Sequence, residues 1–496
     1  MTIVELMPFS VLVPLIAAPV CAMLPGRNLP WMLATLAALA SAVIAATVLP
    51  HVMHETLHYA FGSWEAPIGI EYRVDAANGL VALIISAAAA LALLWARTSV
   101  DHELRPGSQS VFYGLTLLCL AGLMGIVMTG DAFNVFVFLE ISSLSSYALI
   151  AHGRDRRALV ASFRYLIMGT VGATFYLIGL GFLYIMTGTL NMVDLAQQLP
   201  AVADTRVVQM ALVFIVVGTG LKAAMLPLHL WLPNAYTYAP NFASVFIAAT
   251  GTKVALYVMI RMIFTVFGYQ YSFSAIPLGA VLIALAVAGM FVASWIAMFQ
   301  VNQKRMLAWS SIAQVAYMIL GLGLGTVAGL TATFIHLFNH ALMKAALFMA
   351  LGTIFYRIGS VRIEAFRGLG RQMPWTLTAF ALAGLSIIGV PTTAGFISKW
   401  YLILAAMETG DWLLVALIVI TSLMAVVYIW RVVEAAWFHE RPQDAKTVSE
   451  APLTLLVPLW LMVGLNFWFG LDTRLPVAAS GAAAKSLFGV FAGVVP

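Results

Sequence analysis

Glu140, Lys222, Lys253, Lys344 and Lys399 each lie inside a long apolar run, and His336 and His340 share the run that holds Lys344. A charge at the centre of a bilayer costs roughly 2.5–3.5 kcal/mol on insertion scales. A chain that keeps this many ionisable groups in apolar surroundings uses them to move ions. His336, His340 and Lys344 follow one another at four-residue steps, which puts all three on one helix face. Two histidines at that spacing suit zinc, but a metal site needs a third protein ligand. No acid or cysteine lies nearby and Lys344 repels a cation, so no metal site is expected. Imidazole titrates near neutrality, and a face that holds and passes protons is the expected chemistry.

These groups need helices to carry them through an apolar medium. The 496 residues are 62% hydrophobic and 9% charged, against about 25% charged in soluble domains. The sequence predicts an all-α polytopic membrane protein with about fourteen apolar segments of spanning length. Two of them read as broken helices. In the seventh, Gly218-Thr219-Gly220 precedes Lys222 and Pro227 follows; in the twelfth, Gly389, Pro391 and Gly395 precede Lys399. Interrupted helices in corresponding halves point to a transport site. Their spacing predicts two five-helix repeats, helices 4–8 and 9–13, inverted because each unit has an odd number of crossings. The expected organisation is 1–110 for helices 1–3, 111–270 and 271–437 for the two repeats, and 438–496 for helix 14 and a tail.

Orientation follows from the basic residues. Of the 25 lysines and arginines, sixteen fall in loops after odd-numbered helices, among them Arg154, Arg156, Arg157, Lys304, Arg305 and Lys446. Five, including Arg73 and Arg261, fall on the opposite side, and four are the intramembrane lysines. This places both termini outside the cytoplasm. The net charge of +5 carries no implication of nucleic acid. Cys21 and Cys119, the only cysteines, exclude a cysteine-ligated iron–sulfur cluster. No cofactor is implied.

Five motifs in order resemble the antiporter-like subunits shared by Mrp-type sodium/proton antiporters, the membrane arm of respiratory complex I and membrane-bound hydrogenases. They are the stretch from Asn134 to Glu140, the run Gly220-Leu-Lys222 through Pro227 to Pro233, Gly251-Thr-Lys253, the run from His336 to Lys344, and the run from Gly389 to Lys399. Residues 62–69 and Lys399 are most similar to the D-type branch of the multisubunit Mrp antiporters. At Asn234 the chain departs from the aspartate common in the family. The resemblance implies a Glu140–Lys222 pair and a proton row through Lys253, His336, His340 and Lys344 to Lys399. It also implies partner subunits of an antiporter or respiratory complex, protons with sodium as the second candidate ion, and a bacterial inner membrane.

Overall fold

The computed structural model describes residues 2–443 and 447–489, so Lys446 lies outside the described residues. The chain begins with α1 (Ile3–Leu6), α2 (Phe9–Met23) and α3 (Asn28–Val52). The polar stretch that follows adds one element to the all-helical expectation. It is a two-stranded antiparallel hairpin, β1 (Leu57–Ala60) and β2 (Glu71–Val74), with Leu57 opposite Val74. Next come α4 (Ala76–Glu103), α5 (Gln109–Met128), α6 (Ala132–Ala151), α7 (Arg157–Thr187) and the short α8 (Met192–Gln198). The seventh apolar segment is divided into α9 (Arg206–Lys222) and α10 (Leu232–Tyr238). Then follow α11 (Asn241–Arg261), α12 (Leu278–Met298), α13 (Gln303–Gly323) and α14 (Val327–Ile358). The twelfth segment is divided into α15 (Pro374–Ile388) and α16 (Ala394–Glu408), and α17 (Trp412–Trp437) and α18 (Leu453–Leu471) follow. A last helix, α19 (Arg474–Leu487), packs against α4 and α14 where only a tail was expected. Its run of small residues carries too little hydropathy to read as a span.

Among the described residues, twelve helices are long and apolar enough to cross a membrane, with α1 and α2 counted together. The two divided segments make up the remainder of the fourteen apolar segments, each half falling short by itself. The first break lies later than its glycines indicate, and the second begins at Gly389. α9 runs unbroken through Gly218 and Gly220 to Lys222. Gly218 serves packing instead, because a Cβ there would lie 2.8 Å from the backbone nitrogen of Tyr176 on α7. The turn comes at 223–231, where Ala224 has φ 59° and Pro227 interrupts the donor ladder. In the second break Gly389 at φ 90° ends α15, and Thr392 is held at φ 77°, a left-handed conformation costly for a β-branched residue. Gly395 lies within α16, where a Cβ would collide with the Ser386 carbonyl oxygen.

Side-chain caps explain where several helices start. Asp131 accepts from the Asn134 amide (2.6 Å) to open α6, and Asn302 accepts from Arg305 (3.1 Å) to open α13. Gly188 and Gly359, left-handed at φ 75° and 68°, terminate α7 and α14. These starts and stops belong to a repeated frame. Ala132 donates to Leu190 O and Met192 to Gly130 O; Gln303 donates to Val361 O and Ile363 to Val301 O. Every partner in the second pair of bonds lies 171 residues beyond its counterpart in the first. The two bridges lie at opposite ends of α4. Gly130 and Asn191 of the first bond to Glu71, just before α4 begins. Beside the second, Lys304 bonds Ala239 O, and Asn241 binds Glu103 at the other end of α4. One frame is thus upside down relative to the other. Helices α11 and α13 are buried along almost their entire apolar stretch, whereas α12 and α17 expose most of theirs. The polar row is carried by the central helices.

Candidate functional site

Lys222 is the last residue of α9, aimed by the break into the interior. Its Nζ donates to Ser143 Oγ at 2.5 Å and to Tyr147 Oη at 3.3 Å, both from α6. The direct ion pair expected between Glu140 and Lys222 does not form; among the described residues no carboxylate lies within 4 Å of Lys222. Glu140 occupies the same α6 face one turn before Ser143, and its charge acts on Lys222 through space. One of its carboxylate oxygens is buried without a hydrogen-bond partner among the described residues. Two hydroxyl groups, of Ser143 and Tyr147, reach the ammonium first, which is why the pair is spaced rather than closed. Gly169 on α7 makes room for this, since a Cβ there would collide with Tyr147 Oη and lie 3.3 Å from Lys222 Nζ.

A cavity of about 40 Å³ adjoins Lys222, lined by Ser142, Ser143, Ser146, Tyr165 and the Gly251 face of α11. A water needs roughly 10–15 Å³ of such volume, so the cavity accommodates one to a few. It leads from the Lys222 site to the helix that carries Lys253.

Lys253, His336, His340, Lys344 and Lys399 form a second cluster from α11, α14 and α16. All five are at most 5% exposed, and their charges interact with one another. Lys253 Nζ donates to Ala248 O, and Lys344 Nζ to Leu307 O and Ser310 Oγ, each at 2.9 Å. The rings of His336 and His340 are stacked with centroids 5.9 Å apart. His336 Nδ1 meets Ser398 Oγ at 2.7 Å, while neither ring nitrogen of His340 has a partner among the described residues. Lys399 Nζ donates to Ile387 O (2.8 Å) and Ile388 O (3.0 Å), carbonyls left open where α15 ends, and lies 5.0 Å over the Tyr317 ring.

The structure therefore divides the seven sequence-predicted residues into two groups, with the cavity beside the first reaching α11 on a face other than the one that bears Lys253. It adds Ser143, Tyr147, Ser310, Ser398 and Tyr317, which carry no prominent signal in the sequence. Ser143 and Tyr147 stand three and seven residues beyond Glu140, so helical spacing alone would have found them. The contacts of Ser310 and Tyr317 cross between helices and leave no local signal. Two groups assigned to loops are also inside helices. Arg261 ends α11 in a buried ion pair with Asp75 (2.7 Å), and Lys304 is the second residue of α13.

Residues 129–425 match the family described as "NADH:quinone oxidoreductase/Mrp antiporter, TM". The chain is 42% identical to NADH-quinone oxidoreductase subunit N of Desulforudis audaxviator over 474 residues, 92% of this chain and 93% of that protein. It is 29% identical to a D-type Na(+)/H(+) antiporter subunit of Alkalihalophilus pseudofirmus over 409 residues, 82% of each. Its fold matches a chain of the Mrp complex from a Dietzia species with TM-score 0.91 over 98% of both chains at 24% identity. The chain belongs to the NADH:quinone oxidoreductase/Mrp antiporter family of membrane proteins.

Proposed function

We propose that the chain is the proton-translocating subunit of a multisubunit monovalent cation/proton antiporter, moving protons along the row from Glu140 and Lys222 to Lys399. The observation that carries this reading is the cluster of three lysines and two histidines buried together with no acid among them. Lys222 holds a proton against Ser143 and Tyr147, stabilised by Glu140. When Glu140 is neutralised, that proton is less well held and passes through cavity water toward Lys253. His340, with both ring nitrogens open, accepts on one and donates from the other, handing on to His336 and Lys399. Like charges along the row repel, so loading one member weakens proton affinity at the next. Protons are the ion this chain carries: Glu140 is the only acid well inside a helix, and a sodium site wants several oxygen ligands.

A second reading, an ion-pumping subunit of a redox complex, is favoured by the 42% identity to an NADH-quinone oxidoreductase subunit N. The two differ in what drives the row, not in the row. Vesicles carrying the assembled complex, with sodium and proton gradients imposed separately, distinguish them. Proton flux driven by a sodium gradient supports the antiporter; flux only with an electron donor and acceptor supports the redox complex. No proton flux under either condition would discard both. The same vesicles test the expected sidedness, in which a cysteine at Asp155 is labelled only from the cytoplasm.

A further inference from the structure

The arginine-rich end of the molecule holds buried charge that the row does not use. Glu103, last residue of α4, accepts from the Asn241 backbone amide at 2.9 Å and from the Asn241 side-chain amide, where α11 begins. Lys304, 5% exposed, donates to Ala239 O at 2.7 Å, where α10 ends. The two charges interact through space. Both line an open pocket of about 180 Å³, with Arg154, Asn241, Phe355 and Val361 among its walls. Lys304 also stands one turn from Leu307, whose carbonyl accepts from Lys344 of the buried row, about 4.5 Å along the axis of α13. An open pocket, an acid at the end of α4, and an amine in the first turn of α13 thus stand next to the residue that holds the row's Lys344.

We propose that Glu103 and Lys304 form the proton intake on the arginine-rich side, loading Lys344 from the pocket; this rests on proton transport by the row. Glu103 takes a proton from pocket water and becomes neutral. Lys304 beside it, no longer balanced by a carboxylate, gives up a proton toward Lys344 and is reprotonated from Glu103. The rival account is purely structural, with Glu103 opening α11 and Lys304 closing α10 as charges suited to those helix ends.

Proton flux in vesicles carrying the assembled complex separates the accounts. Glu103→Gln keeps an oxygen acceptor for Asn241 but no exchangeable acid proton, so flux should fall at least tenfold at unchanged amounts of assembled protein. Wild-type flux in Glu103→Gln would reduce the residue to a cap and overturn the proposal. Should that variant fail to assemble, Phe355→Cys in a Cys21→Ser, Cys119→Ser background decides. A bulky membrane-impermeant thiol reagent should block its flux from the arginine-rich side only. Labelling that leaves flux intact, or a block only from the other side, would overturn the intake. Lys344→Met provides the control: if it transports normally, the row reading fails and the intake with it. If it is inactive while both pocket tests give wild-type flux, only the intake fails.

Discussion

The two halves of the molecule share a backbone frame and differ in what they hang on it. Offsetting by the 171 residues that relate their bridging hydrogen bonds, the polar α6 face of Glu140, Ser143 and Tyr147 corresponds to Ser311, Gln314 and Met318 on α13. The histidine face of α14 corresponds in turn to Tyr165, Gly169 and Ala173 on α7. The first half thus places an acid on one helix and clears space on the next. The second half clears the acid away and fills that space with imidazoles and an amine. Gly169 and His340 mark the exchange: one position leaves room for a tyrosine hydroxyl and a lysine, the other supplies a ring with two open nitrogens. The comparison teaches that the frame sets where polar side chains can stand, and that the side chains decide whether a lysine there has a carboxylate or other cations for neighbours.

The largest expected effect comes from removing either half's amine. Lys222→Met and Lys344→Met should each abolish flux while leaving the complex assembled, measured as dye-reported acidification in vesicles. Lys222→Met leaves Glu140 without the cation whose charge acts on it. If Lys222→Met transported normally, the first half would be scaffold, and transport would belong to the second half alone.

The cavity beside Lys222 gives the next effect. A Cβ at Gly251 would meet only Ile247 Cγ2, at 3.5 Å. Gly251→Ala should therefore be tolerated, whereas Gly251→Leu fills much of the 40 Å³ cavity and should cut flux about tenfold with little loss of stability. Equal flux in the two variants would mean that the halves exchange protons by another route. Tyr147→Phe removes the acceptor of a 3.3 Å hydrogen bond from Lys222 and leaves the 2.5 Å bond that Lys222 donates to Ser143. A hydrogen bond to a charged group is worth about 1.5–3 kcal/mol; at 3.3 Å the lower end applies, a roughly tenfold reduction in flux. Ser143→Ala should cost more than Tyr147→Phe, and the reverse order would show that Tyr147 is the principal holder of Lys222.

Much of this was legible in the sequence, for identifiable reasons. Buried ionisable residues stand out because apolar runs so rarely tolerate them, and Glu140, Lys222 and Lys344 could be placed on helices from their surroundings alone. Breaks were visible because Pro227 and Gly389 leave local signatures, but the register of the first was not. Gly218 is small for the sake of α7, a neighbour that no local window shows. The spaced Glu140–Lys222 arrangement was hidden for the same reason, since the competitors for Lys222 are hydroxyls whose reach depends on how α6 meets α9. The hairpin β1–β2 was missed because four-residue strands carry weak periodicity, and α19 because its small residues carry too little hydropathy to read as a span.

The smallest effect concerns the frame itself. Among the described residues only the first bridge is tied to a buried acid: Gly130 donates to Glu71 O at 3.0 Å and Asn191 Nδ2 to Glu71 Oε1 at 2.9 Å, whereas Arg362 of the second pairs with the exposed Glu364. The hydrogen bond with His58, followed by the one from Asn191, holds the Glu71 carboxyl below its ordinary value against the opposing effect of burial. A depressed carboxyl contributes stability that is present above its unfolded value, near pH 4.3, and is lost as pH falls toward the folded value. Hydrogen exchange at the Ala132 and Met192 amides, corrected for intrinsic rate, should therefore accelerate as pH falls from about 5 to about 3. Exchange at Gln303 and Ile363, the matching amides of the second frame, should change less, because no buried carboxylate among the described residues bonds to that bridge. Glu71→Gln keeps an acceptor for Asn191 but has no charge to lose, so it should flatten the pH dependence of the first pair and leave the second untouched. If all four amides responded alike, the two frames would open as one unit, and Glu71 would be a bystander to a transition of the whole bundle.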